Sequence, residues 1–121
     1  MLRVKVSNFL ATVMLVCLAL PLHGHAVLVS AVPSVSEVMN GPDVPVKLQF
    51  NARVDAKRSR IILVTPNSEQ LTLPISEKSP VDGLVSEAKG LTAGAYILRW
   101  QVLANDGHIT RGEVHFRVLQ K

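Results

Sequence analysis

Two histidines and one aspartate, far apart in the chain, are the residues whose types could do chemistry together. Asp106 and His108 stand one residue apart in Asn105-Asp106-Gly107-His108, directly after the long apolar run 95–104. In an extended stretch, residues two apart project to the same side, so a carboxylate and an imidazole can converge here. Gly107 between them lets the backbone turn sharply. The third residue, His25, follows a hydrophobic leader. Removal of that leader before His25 would leave an α-amine and an imidazole on one residue, able to close a chelate ring on a metal ion. With Asp106 and His108 the donor set becomes three nitrogens and one oxygen. Mixed N/O ligation without sulfur suits copper(II) in tetragonal geometry, and copper's high place in the affinity series reinforces that choice. Zinc accepts similar donors tetrahedrally and is the competitor. The amine (reference pKa ~7.7–8.0) and the imidazoles (~6.5) must lose protons to bind, so affinity is expected to weaken below about pH 6. The same tetrapeptide also reads as an ordinary Asp-Gly hairpin corner in which His108 is incidental.

The leader decides between these readings. Residues 1–8 carry Arg3 and Lys5 and no acid, and residues 9–20 are almost unbroken in apolar side chains. Spanning a bilayer takes about 20 apolar residues, so this is a signal peptide rather than an anchor, and no stable membrane insertion follows its removal. Cutting after Gly24 leaves Leu22 two places before the cut. Cutting after Ala26 puts Gly24 and Ala26 at the two small-residue positions, a better fit to the A-x-A rule, but it discards His25.

Loss of residues 1–24 leaves 97 residues, enough for one domain with a modest core. Lys+Arg falls from 13 to 11 against 9 Asp+Glu, so the formal charge drops from +4 to near +2. A nucleic-acid partner calls for a concentrated basic face with stacking aromatics. Lys57, Arg58 and Arg60 have no aromatic beside them and read as a solvated loop. Cys17 leaves with the leader, so the exported chain has neither thiol nor disulfide. Of the three methionines only Met39 remains, which excludes a thioether cluster for copper(I). His23 departs as well, and His115, between Val114 and Phe116, is a surface residue.

The elements that must position His25, Asp106 and His108 are strands. Residues 26–32 are apolar and β-branched, with Pro33 at their end. Residues 34–45 read as a loop with Asn40-Gly41-Pro42 as its turn. Val46-Lys47-Leu48-Gln49-Phe50 alternates. Residues 60–65, Pro66-Asn67-Ser68 and residues 70–75 form a hairpin. Residues 84–88 make a short strand, and Leu91-Thr92-Ala93-Gly94 a corner. Residues 95–104 put Tyr96, Leu98, Trp100 and Val102 on one face, and residues 112–119 close the chain. No segment keeps a helical period. About seven short strands with turns between them predict an all-β, antiparallel Greek-key sandwich, cupredoxin-like or immunoglobulin-like, with Tyr96 and Trp100 in its core.

Over residues 25–121 the chain resembles the CopC-type periplasmic copper-resistance proteins. The resemblance rests on His25-Ala26-Val27-Leu28 with Ser30 and Pro33, and on Val46-Lys47-Leu48-Gln49-Phe50. It continues through Leu91-Thr92-Ala93-Gly94-Ala95-Tyr96, Leu98-Arg99-Trp100, Asp106-Gly107-His108, Gly112 and Phe116. It implies cleavage after Gly24, a copper-binding domain at 25–121, and one Cu(II) per chain held by His25, Asp106 and His108. It also implies a periplasmic location and an inner-membrane transporter of CopD type as partner. Three departures stand out. Asn51-Ala52 occupies the place where some members carry an acidic ligand, so no fourth protein side chain is expected at the metal and water takes that place. The methionine-rich loop of members with a copper(I) site is absent. Ile109 replaces a frequent proline after the Asp-Gly-His motif.

The expected function is copper sequestration, carriage or resistance, without catalysis. One alternative is a redox enzyme, because an amine–imidazole chelate with a second histidine is similar to the copper brace of polysaccharide monooxygenases. Another is an immunoglobulin-like structural module without metal.

Overall fold

Strict alternation of apolar and polar side chains sets the layers of this protein. In Val44-Pro45-Val46-Lys47-Leu48-Gln49-Phe50 every odd-numbered member of the run, from Val44 to Phe50, is buried and every intervening residue is exposed. This is the signature of a strand with one face on a core and the other in water. The computed structural model describes residues 25–119. The expected leader, with His23, lies outside the described residues.

Eight strands follow in order: β1 (Leu28–Val32), β2 (Val38–Asn40), β3 (Val44–Phe50), β4 (Val54–Val64), β5 (Gln70–Leu73), β6 (Gly83–Ala88), β7 (Gly94–Ala104) and β8 (Ile109–Leu119). They form a three-stranded sheet in the order β1-β3-β6 and a five-stranded sheet in the order β2-β8-β7-β4-β5. The expected all-β sandwich is observed, and the chain crosses repeatedly between its two sheets. Among the described residues no helix is long and apolar enough to cross a membrane.

Several details differ from the sequence expectation, among them β1, which begins at Leu28 rather than residue 26, and β8, which begins at Ile109 rather than residue 112. There are eight strands rather than about seven, because residues 34–45, read as loop, contain β2 and the start of β3. β2 runs parallel to β8, with Met39 opposite Val118, so the sandwich is not wholly antiparallel. β4 begins at Val54 instead of residue 60, and its pairing with β7 is irregular between Asp55 and Arg60. There the Asp55 carboxylate accepts the N–H groups of Lys57 and Arg58 at 3.0 and 3.3 Å. Such local bonds compete with the strand ladder, and they disguise the strand as a charged loop. β5 stops at Leu73, short of residue 75.

Tyr96 and Trp100 are buried, as their spacing predicts. Trp100 meets Phe50 edge-on at 5.2 Å across the two sheets, and Tyr96 stacks on Phe116 at 5.7 Å. Gly112 lies opposite Trp100 in the β7–β8 ladder, and a Cβ there would stand 2.7 Å from Trp100 Cε2 and overlap Cζ2. Only glycine leaves room for the indole. The Tyr96 hydroxyl donates to the Thr92 carbonyl at 2.7 Å, a tyrosine corner closing the turn that precedes β7. Tyr96→Phe keeps the ring and leaves that carbonyl without its partner. It is expected to lower stability by about 1–2 kcal/mol, read as a lower urea midpoint with unchanged slope.

The two corners that matter for chemistry lie at the same end of the sandwich. Val54, at the start of β4, pairs with Ala104, at the end of β7. Leu28, at the start of β1, pairs with Phe50, at the end of β3. The β3–β4 corner therefore has the β7–β8 corner on one side and the segment preceding β1 on the other.

Candidate metal centre

The β7–β8 corner is a four-residue connection, 105–108, closed by its own backbone. The Gly107 N–H donates to the Ala104 carbonyl at 2.9 Å, and the Ala104 N–H to the His108 carbonyl at 2.8 Å. Gly107 sits at φ +89°, a conformation that glycine adopts without the Cβ penalty. Asp106 and His108 are brought together by this turn, not by the extended geometry that their spacing suggests. The His108 N–H donates to Asp106 Oδ1 at 3.0 Å, and His108 Nδ1 lies 3.0 Å from Asp106 Oδ2. Both carboxylate oxygens thus face the same residue.

These contacts hold the Asp106 carboxyl below its ordinary range. The His108 backbone N–H is the largest cause, the His108 side chain the next, and the charges of His108 and His25 add to them against a desolvation cost. A carboxyl lowered in this way favours the folded state above the ordinary carboxylate range. That contribution disappears as pH falls through the lowered value.

His25 arrives from the other side of the β3–β4 corner. Ala26 is fully buried in the core and anchors the segment. Val27 and Asn51 then exchange two bonds: the Val27 N–H donates to Asn51 Oδ1 at 2.7 Å, and the Asn51 N–H to the Val27 carbonyl at 3.0 Å. On its far side the same corner accepts the Asn105 N–H at the Arg53 carbonyl, 3.0 Å. Residues 51–53 therefore bridge the amino-terminal segment and the β7–β8 corner. The His25 and His108 rings meet edge to face at 4.8 Å with an 84° interplanar angle.

One ligand atom each from His25, Asp106 and His108 can be chosen so that all three lie within 4.8 Å of one another. The cluster is open to water, with the His108 side chain 54% exposed and that of Asp106 31%. The structure thus brings together all three residues singled out from sequence. Sequence reasoning placed Asn51 only where some relatives carry an acidic ligand and missed its bonds to Val27, since an asparagine after a strand reads as part of a turn. Its carboxamide oxygen accepts the Val27 N–H. His115 is exposed on β8 and bonds Glu113 Oε1 through Nε2 at 3.1 Å. Its distance along β8 from His108 is roughly 23 Å, at about 3.3 Å per residue. Met39 lies farther still, on β2 beside Val118, packed partly against the core.

A family model described as the CopC domain matches residues 28–119, so it includes Asp106 and His108 and begins just after His25. Among solved structures, the chain is similar to CopC from Methylosinus trichosporium OB3b, with 28% identity and a TM-score of 0.70, over 79% of this chain and 95% of that one. It is also similar to PcoC, a methionine-rich copper resistance protein from Escherichia coli, with 22% identity and a TM-score of 0.67, over 79% of this chain and all of that one. At that identity the second likeness speaks for the fold. No curated protein sequence matches the chain. Because the family match runs from the first residue of β1 to the last residue of β8, the chain belongs to the CopC family.

Proposed function

We propose that this protein binds one Cu(II) ion at His25, Asp106 and His108 and serves copper sequestration, carriage or resistance in the periplasm. In this reading residues 1–24 are a signal peptide and the domain is 25–121, so His25 contributes both its α-amine and its imidazole. The observation that carries the reading is the convergence of three side chains from opposite ends of the described chain on one corner of the sandwich.

The donor spacing supports it. Ligand atoms about 2.0–2.1 Å from an ion stand roughly 2.9 Å apart when adjacent and about 4 Å apart when opposite. The 3.0 Å between His108 Nδ1 and Asp106 Oδ2 suits an adjacent pair. The 4.8 Å bound on the whole set exceeds the opposite-pair distance by under about 1 Å, within the reach of exposed side chains. Nitrogen and oxygen donors favour Cu(II), with Zn(II) the competitor. Solvent exposure leaves a further position for water and a route for release, consistent with handover to a membrane transporter of CopD type.

The test is titration of the purified exported protein with Cu(II), read by electron paramagnetic resonance and by competition with a chelator. One equivalent is expected to bind with a tetragonal signal showing nitrogen hyperfine structure. Absence of binding would leave only a β-sandwich. Asn51→Ala frees the Val27 N–H and slackens the arm carrying His25. Outer residues that orient metal ligands are worth 10–100-fold in affinity, and about tenfold weaker Cu(II) binding is expected in a chelator competition.

The enzyme reading is disfavoured by one structural feature. Phe50, Tyr96, Trp100 and Phe116, the aromatic Phe, Tyr and Trp residues of the described chain, are all buried, so no stacking platform for a sugar chain accompanies the cluster. An anionic Asp106 beside copper also stabilises Cu(II) over Cu(I). Copper-dependent oxygen consumption with ascorbate and a polysaccharide would reinstate it.

A further inference from the structure

The outward face of the five-stranded sheet gathers arginine. The strand register sets Arg60, Gln101 and Arg111 in one row across β4, β7 and β8, and Ile62, Arg99 and Glu113 in the next. Adjacent strands stand about 4.8 Å apart, so the three arginines rise from an area roughly 10 Å across. These six residues line a groove of about 400 Å³. None of them belongs to the His25–Asp106–His108 cluster.

The guanidinium groups are held in a particular way. Arg111 Nε donates to Gln101 Oε1 at 2.9 Å, and Arg99 Nε to Glu113 Oε2 at 3.3 Å. Each bond uses the inner nitrogen and leaves the outer Nη pair, the prong that matches two oxygens of one phosphate or carboxylate. Because Gln101 accepts through its oxygen, its NH₂ group remains a donor. Arg60 makes no ion pair with any described residue. Glu113 is the single carboxylate lining the groove, and both its oxygens are engaged, Oε2 by Arg99 and Oε1 by His115 Nε2 at 3.1 Å. Three guanidinium groups, two of them held through Nε, therefore face one carboxylate, so the groove keeps a net formal charge of +2 beside the apolar Ile62.

We propose that this groove binds an oxyanion of the phosphate class carrying at least two negative charges. Arginine suits the task better than lysine would, because its planar fork matches phosphate geometry and stays charged at every working pH. The same chemistry is presented by a soluble phosphate or phosphate ester and by an anionic phospholipid headgroup.

The experiment uses the purified protein, metal-free and at low ionic strength, titrated with pyrophosphate and followed by the Nε–H resonances of its arginines. Saturable binding is expected, with shifts confined to Arg60, Arg99 and Arg111. The double variant Arg60→Gln/Arg111→Gln should weaken it at least tenfold, and Arg60→Gln alone by severalfold. The pair Lys57→Gln/Arg58→Gln, which removes the same charge outside the groove, should change it less than twofold. An equal loss in that second pair would show general charge attraction and overturn the proposal, as would shifts that never saturate. Cosedimentation with phosphatidylglycerol vesicles, against pure phosphatidylcholine, distinguishes the source. Capture that requires Arg60 and Arg111 identifies a lipid headgroup, and pyrophosphate binding without capture identifies a soluble anion. Either result upholds the site.

Discussion

His108→Ala is expected to weaken Cu(II) binding by roughly 100- to 1,000-fold while leaving the fold intact. The magnitude follows from sharing the ~10–16 kcal/mol of a four-donor site among its donors, which assigns about 2.5–4 kcal/mol to each. The fold should tolerate the change for two reasons. The His108 side chain is more than half exposed, so little packing is lost. The bond from residue 108 to Asp106 Oδ1 is made by the backbone N–H, which alanine retains, so the corner keeps its main internal tie. The urea midpoint should therefore shift by no more than about 0.5 kcal/mol equivalent. His115→Ala is the matched control: it is an exposed histidine on β8, the strand that follows His108, bonded to Glu113 and outside the cluster, and it should leave copper affinity unchanged. Equal Cu(II) affinity in His108→Ala and the parent would remove the metal reading. As pH falls, copper should be lost through protonation of the nitrogen donors, because Asp106 is already held ionised by His108.

Different parts of this structure were legible to different degrees, and the reason lies in the range of the interactions. β3 and the inner face of β7 announce themselves, because alternation is a property of consecutive residues and the core enforces it. β2 does not: three residues carry too little pattern, and its existence depends on pairing with β8, almost 80 positions away. The first half of β4 is hidden by Asp55, Lys57 and Arg58, whose local bonds imitate a loop. The pair Asp106 and His108 was found for a reason that the structure replaces. Same-side projection in an extended chain is not what joins them; a turn with Gly107 at positive φ and a carboxylate grasping the next-but-one N–H is. The meeting of His25 with that pair rests on Asn51 and the Arg53 carbonyl, two groups whose types say nothing of metal. Residue identity points to donors. Only tertiary register makes them neighbours.

Adding a single alanine ahead of His25 in the processed protein is expected to lower Cu(II) affinity on the order of 100-fold, although no proposed side-chain ligand is altered. The proposed chelate needs the amine and the imidazole on one residue. Moving the amine one residue away turns the His25 nitrogen into an amide, which binds Cu(II) only after losing a proton that a peptide gives up reluctantly. The electron paramagnetic resonance signal should lose one nitrogen, and a chelator competition should report the weaker affinity. The same reasoning bears on processing. A cut after Ala26 would remove His25 together with Ala26, whose side chain is wholly enclosed by the core. It would also place a charged ammonium where the Val27 amide now donates to Asn51. A cut after Gly24 keeps the buried alanine, the Val27–Asn51 pair and the donor residue together, so the intact mass of the exported protein is expected to correspond to a chain starting at His25. A chain starting at Val27, or an alanine-extended protein that binds copper as tightly as the parent, would rule out the terminal chelate and leave Asp106 and His108 as an ordinary turn.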